Sequence, residues 1–157
     1  MGPLVNQRQY DRVRGYVRRG IEEGAHLLVG GEDRPEGLER GYFIRPTVFS
    51  QVTPDMTAAR EEIFGPVLVI LTYADEEDAI RIANDTPYGL HAYVLGTDVA
   101  RARAIAGRLD AGRVAINGFA HEPMAPFGGF KESGIGREYG VFGIEDHLEL
   151  KAISGAG

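Results

Sequence analysis

Residues 67–117, VLVILTYADEEDAIRIANDTPYGLHAYVLGTDVARARAIAGRLDAGRVAIN, decide the fold, because short apolar runs alternate there with segments of helical spacing. Residues 67–73 are almost continuously apolar, the pattern of a strand covered on both faces. Residues 75–84 place Ala79, Ile80 and Ile82 on a helix whose acidic first turn suits the positive end of the helix dipole. Pro87 and Gly89 close that helix, and residues 90–95 form a second strand. Residues 98–109 read as an Ala/Arg helix with Asp98 at the N-cap, Gly112 as its stop, and 113–117 as a third strand. This order with short links predicts an α/β fold class, a right-handed parallel βαβαβ sheet with flanking helices.

Toward the N-terminus, Tyr10, Val13, Tyr16, Val17 and Ile21 recur at helical spacing, and Gly20 and Gly24 mark the fraying of that helix before a short strand at 27–29. Residues 30–41 are a polar loop. Tyr42, Phe43 and Ile44, then Thr47, Val48 and Phe49 after Pro46, predict an edge or interrupted strand, because proline cannot donate to a ladder. A helical turn follows at 54–59. Toward the C-terminus, residues 118–136 form a long glycine-rich loop leaving the third strand at its carboxyl end, where parallel sheets place ligands. A helix at 139–147 and a terminal strand at 148–153 complete the pattern.

Composition bounds the function. The chain has 157 residues, 43% of them hydrophobic, enough for the core of one domain. A net charge of -6 gives no electrostatic reason to bind nucleic acid, and the basic run from Arg8 to Arg19 reads as a solvated helix face. No apolar stretch approaches the roughly 20 residues of a membrane span, and Met1 is followed by Gly2 and Pro3 rather than a leader pattern; the expectation is a cytoplasmic protein. The chain has no cysteine, so disulfides, thiolate metal sites and thiol nucleophiles are excluded. His26, His91, His121 and His147 are too widely spaced for a metal site. Gly134, Gly136 and Gly140 imitate a dinucleotide fingerprint without its preceding strand, and no serine lies in a G-x-S-x-G context.

Two stretches carry candidate chemistry. Glu61-Glu62-Ile63-Phe64-Gly65-Pro66 puts carboxylates, a ring and a Gly-Pro turn at the mouth of a buried strand, able to hold a polar, partly aromatic ligand but not to break a bond. Pro126-Phe127-Gly128-Gly129-Phe130 sets a ring between a fixed turn and permissive glycines, either to enter a pocket or to plug the core under the loop.

Together with T-P-Y-G-L at 86–90, these stretches, E-E-I-F-G-P-V at 61–67 and P-F-G-G-F-K-E-S-G-I-G-R-E at 126–138, resemble the C-terminal portion of the NAD(P)-dependent aldehyde dehydrogenases, and the opening G-P-L-V fits the same family. The resemblance runs in order along nearly the whole chain and implies one partial, C-terminal catalytic domain over residues 1–157. It implies that Glu62 binds the ribose of the nicotinamide in NAD or NADP, since a carboxylate accepts from both hydroxyls of a diol, and that Phe64 packs near the nicotinamide. The alternative for Glu62 is a solvated acid at a helix end. Glu61 is then structural. Phe127 falls in the substrate funnel, with Phe119 and His121 in the variable part of its loop. Glu138 matches an acid assigned to proton relay, or else pairs with Arg137. Glu149 and Lys151 match positions near a subunit contact made by the terminal strand, or sit on an exposed strand edge.

The departure from the family is the missing nucleophile. Aldehyde oxidation there proceeds by thiolate attack, hydride transfer to the nicotinamide and thioester hydrolysis, with donors to the oxyanion and a glutamate activating water. The nucleophile, its oxyanion asparagine, the main general base and the coenzyme domain all precede the part this chain resembles. The expectation is an aldehyde dehydrogenase portion inactive alone, with the N-terminal half or further copies as partners, or a non-catalytic oligomerisation module of that descent. Apolar surface left bare by the absent half favours a homo-oligomer.

Overall fold

The computed structural model describes residues 1–118 and 122–155, so Phe119 and His121 lie outside the described residues. The chain divides into two compact units, Met1–Ala79 and Ile80–Gly157.

In the first unit, α1 (Gln7–Glu22) starts at Asn6, whose side chain accepts from the Gln9 amide at 2.9 Å. β1 (His26–Val29) pairs antiparallel with β2 (Thr47–Ser50), and β2 pairs parallel with β3 (Val67–Val69). β2 is therefore central, not an edge strand. Pro46 is compatible with that position because it precedes the first ladder residue, and Thr47 already donates its amide to the Pro66 carbonyl at 2.8 Å. The Thr47 hydroxyl, fully buried, donates to the Arg45 carbonyl and accepts from the Gly31 amide.

Apolar residues of α1 supply the core. Tyr10 and Val13 pack with Ile44, Ala58 and Ile63, and Val17 packs with Ala25, Phe49 and Val52. Gly20 is not a frayed end: it lies inside α1, where a Cβ would stand 3.2 Å from the Phe49 ring, so glycine lets the ring lie against the helix. Gly24, at φ +95, does end it. α2 (Thr57–Arg60) is the predicted helical turn, displaced slightly and fastened by Glu23, which accepts from the Thr57 amide and hydroxyl. Only Val67–Val69 of the 67–73 run joins a ladder, and Leu68 and Ile70 are exposed, so one face of that strand is uncovered in this chain.

α3 (Glu76–Asn84) leads into the second unit. There β4 (Tyr88–Gly89) is followed by β5 (His91–Val94), α4 (Val99–Ala106) and β6 (Arg113–Ile116), and β5 and β6 pair in parallel. Asp98 caps α4 as its position foretold, accepting from the Arg101 amide at 3.0 Å. The fold class is α/β. Its parallel pairs are β2 with β3 and β5 with β6, so the predicted row of strands is divided between sheets rather than continuous.

β7 (Phe130–Lys131) gives the glycine-rich loop regular structure by pairing antiparallel with β4. α5 (Gly140–Glu145) is shorter than the predicted helix. Residues 148–153 form no strand among the described residues, and Leu150 and Ile153 stand exposed. An alternating segment becomes a strand only when an edge is offered to its backbone. No helix among the described residues is long and apolar enough to cross a membrane.

Candidate functional site

The segment from Glu61 to Gly65 has no regular structure of its own, so its shape is imposed by α1. Gln9 Nε2 donates to the carbonyls of Ile63 at 2.9 Å and Phe64 at 2.8 Å. One turn on, Arg12 Nη2 donates to the Glu62 carbonyl at 2.8 Å. A further turn on, the Tyr16 hydroxyl donates to Glu61 Oε2 at 2.5 Å. These residues share a helix face because three- and four-residue steps bring side chains into register. Glu61 raises the pKa of Tyr16 above its ordinary value by accepting its proton in a hydrogen bond, and burial adds to the effect. Gly65 completes the fit, since a Cβ there would stand 2.5 Å from Val13 Cγ2.

Phe64 is the consequence. Its φ is +53, in the left-handed region that disfavours bulky residues, and its ring is 73% exposed. A backbone held in such a conformation while its ring faces outward is a strain that packing within the unit does not explain. Glu62, beside it, is half-buried. A carboxylate and an outward ring on a braced turn fit a ribose diol joined to a flat heteroaromatic group.

In the second unit, the T-P-Y-G and F-G-G-F-K-E-S motifs interlock. Tyr88 pairs with Lys131 and Gly89 with Phe130, the Glu132 amide donates to the Pro87 carbonyl, and the Gly89 amide donates to Ser133 Oγ. Lys131 Nζ donates to the carbonyls of Asn84 at 2.8 Å and Thr86 at 3.1 Å and lies 3.7 Å from Asp110 Oδ2. Phe127 and Glu138 face each other across a two-bond antiparallel bridge, with N···O distances of 2.8 and 2.6 Å. Gly128 permits this approach, because a Cβ there would collide with the Gly136 carbonyl.

The structure thus brings Glu62 and Phe64 together on one turn, and Phe127 and Glu138 together on one bridge. Phe127 is half-buried, its ring 6.0 Å from that of Tyr139, and Glu138 is exposed. Arg137 directs Nη1 to the carbonyls of Gly129 and Gly136 rather than to the Glu138 carboxylate, so the alternative of an ion pair between these neighbours is not realised. Read from the sequence, Tyr16 falls among the helix's apolar positions and Arg12 on its solvated face, and Gln9 has no named role. The three act across more than half of the first unit, and only the four-residue spacing of Arg12 and Tyr16 on a helix hinted that they form a set.

The aldehyde dehydrogenase family model matches residues 1–153. A Staphylococcus saprophyticus relative is 52% identical over 155 residues, which is 99% of this chain and 33% of that protein. A cysteine-to-alanine mutant of aldehyde dehydrogenase C from Pseudomonas syringae, complexed with NAD+ and octanal, superposes with a TM-score of 0.95 at 53% identity, over 97% of this chain and 31% of that one. A Mycobacterium tuberculosis aldehyde dehydrogenase complexed with NAD+ gives 0.90 at 53% identity, over 93% and 30%. The chain therefore spans about a third of the length of the relatives it matches.

Proposed function

Because the chain belongs to the aldehyde dehydrogenase family, we propose that it supplies the C-terminal part of an NAD(P)-dependent catalytic domain oxidising an aldehyde to a carboxylic acid. Phe64 carries this reading: a 73% exposed ring at φ +53, braced by α1, is oriented for a ligand rather than for the core. In this role Glu62 accepts from the ribose hydroxyls and Phe64 lies against the nicotinamide, which when bound accepts the hydride of the reaction. Gln9 and Arg12 keep both in place by occupying the carbonyls of residues 62–64. Phe127 lines the aldehyde funnel and excludes water from it, and the family resemblance gives Phe119 and His121, outside the described residues, a role toward the same substrate. Glu138, exposed beside Phe127, moves a proton between the funnel and solvent.

No residue of the chain supplies a thiolate. The chain alone is inactive on this reading, and its binding of NAD or NADP is weak, because the nucleophile and most of the coenzyme surface belong to the part of the relatives that it does not span. The setting is cytoplasmic. Purified chain mixed with NAD+ and a panel of aldehydes gives no NADH above buffer; turnover would overturn the reading. Saturation-transfer NMR with NAD+ at high concentration shows contact at the nicotinamide ribose that Glu62→Gln removes. A wild-type signal unaffected by that substitution would remove Glu62 from the role.

A second reading rests on the tail, where Leu150 is 98% exposed and Ile153 91%. Residues 148–153 then complete a sheet edge in another copy or in the part of the relatives that this chain does not span, and the chain serves as an assembly module. Sedimentation separates these cases: Leu150→Lys converts an oligomer to a monomer if the segment is the contact.

A further inference from the structure

The arginines of α1 sort into two sets with different fates. At 3.6 residues per turn, Arg14 and Arg18 lie within about 40° of each other, and Arg8, Arg12 and Arg19 within about 40° on another face. The first set shares one carboxylate: Arg18 Nη2 lies 2.7 Å from Glu32 Oε2 and Arg14 Nη2 4.0 Å from the same oxygen. The second forms no ion pair among the described residues, although the Glu61 carboxylate lies in the same lining. Arg12 donates to the Tyr16 hydroxyl at 3.1 Å and to the Glu62 carbonyl, while the side chains of Arg8 and Arg19 make no hydrogen bond or ion pair among the described residues.

Between Arg12 and Arg19, the helix face sinks. Position 15 is a glycine with nothing within 4 Å of where a Cβ would stand. The result is a depression of about 270 Å³ lined by Arg12, Gly15, Tyr16, Arg19 and Glu61. Arg12 is braced, with its guanidinium carbon 5.3 Å from the centre of the Tyr16 ring, so little side-chain entropy remains to be lost there on binding. Glu61 is the opposing charge, and its Oε2 already accepts from Tyr16. An anion entering between the arginines meets the side chains of Arg12 and Arg19, the Tyr16 ring and a floor opened by the missing side chain, with the Glu61 carboxylate as the one opposing group of the lining.

We propose that this depression binds a phosphate group. Guanidinium forks match the oxygens of a tetrahedral dianion in geometry as well as charge, which separates phosphate from a spherical monovalent ion. The volume leaves space for a substituent, so the phosphate is either free or part of a larger molecule such as a dinucleotide. The site does not depend on the roles of Glu62 and Phe64.

An amide NMR titration of the isotope-labelled chain with inorganic phosphate, at ionic strength held constant with sodium chloride, tests this. Saturable shifts confined to Gly15, Tyr16, Arg19 and the Arg12 side chain are expected. Arg19→Gln weakens binding about tenfold, as loss of one charge-assisted contact does. Gly15→Leu fills the floor and abolishes binding while far-ultraviolet circular dichroism stays unchanged, because leucine favours the helix more than glycine does. Shifts that chloride alone reproduces, the lack of saturation, or binding that survives both substitutions would overturn the proposal. A second titration with NAD+ identifies the source. Displacement of phosphate by NAD+ makes the dinucleotide the donor of the group, and phosphate binding undisturbed by NAD+ makes it a free anion; both outcomes uphold the site.

Discussion

The Gln9 side-chain amide donates to the Phe64 carbonyl at 2.8 Å, and so a helix residue near the start of the chain fixes the backbone under an outward aromatic ring. The same Nε2 serves the Ile63 carbonyl. Gln9→Leu keeps the bulk and removes both bonds, leaving the partly buried Ile63 carbonyl and the exposed Phe64 carbonyl short of a donor. Each unsatisfied group costs about 1–3 kcal/mol when fully buried, and partial hydration sets the expectation near the lower bound. Urea unfolding of the variant therefore shows a lower midpoint at unchanged slope. An unchanged midpoint would mean that water replaces the amide without loss.

Phe64 separates stability from binding. Glycine removes the strain of a positive φ, about 1 kcal/mol for a bulky residue, and adds a comparable entropic cost in the unfolded chain. Little packing is lost with a ring that is 73% exposed. Phe64→Gly is therefore expected to unfold within about 1 kcal/mol of the parent while losing, in saturation-transfer spectra, the NAD+ contact proposed for Phe64. A large destabilisation would show that the ring is packed in solution, and would remove it as a ligand surface.

The hydrogen bond from Tyr16 to Glu61 makes stability depend on alkaline pH. The ordinary tyrosine value is 10.0, and Tyr16 lies above it in the folded chain because deprotonation sacrifices the bond to Glu61. A group whose folded pKa is raised contributes stability that is complete below the unfolded value and disappears as pH rises through the folded one. Spectrophotometric titration should resolve a tyrosine component that ionises above the ordinary value. Tyr16→Phe removes that component, and Glu61→Gln moves it down. If both variants keep the parent's titration curve, the bond does not persist in solution.

Much of this architecture was legible in local spacing. The periodicity of Tyr10, Val13 and Val17 marked α1, Asp98 marked the start of α4, and the apolar runs flanking α4 marked the parallel pair β5 and β6. What failed was anything decided by distant partners. Pro46 argued for an edge, yet β2 is central because the ladder starts one residue later. Gly20 argued for a helix end, yet it is a contact for Phe49, 29 residues away by their numbers. The terminal strand expected at 148–153 is not formed among the described residues, since a strand needs an edge to pair with and no local pattern states whether one is present. The Glu62 and Phe64 turn was legible as a motif, while its supports Gln9 and Arg12 on α1 were hidden among polar residues that read as a solvated face. Arg12 in particular looked like surface charge and is a carbonyl donor.

Lys131 joins the two motifs of the second unit and gives the clearest test of whether their interlock is cooperative. Its ammonium donates to the carbonyl of Asn84, the last residue of α3, and to that of Thr86 beyond the helix, and Asp110 lies 3.7 Å away. Its backbone sits at φ +54, so the fold tolerates strain in order to aim that side chain. Lys131→Met retains the aliphatic stem and removes the charge and its bonds, at an expected cost of about 1–3 kcal/mol. The stronger expectation concerns neighbours that the substitution does not touch. If the clasp closes as a unit, the amides of Glu132, bonded to Pro87, and of Phe127 and Glu138, bonded to each other, exchange faster with deuterium in the variant. Lys131→Arg, which keeps a cation at the end of α3, restores part of the protection. Acceleration limited to Glu132, with Phe127 and Glu138 unchanged, would show instead that the bridge carrying the candidate funnel and relay residues is held by its glycine contacts alone.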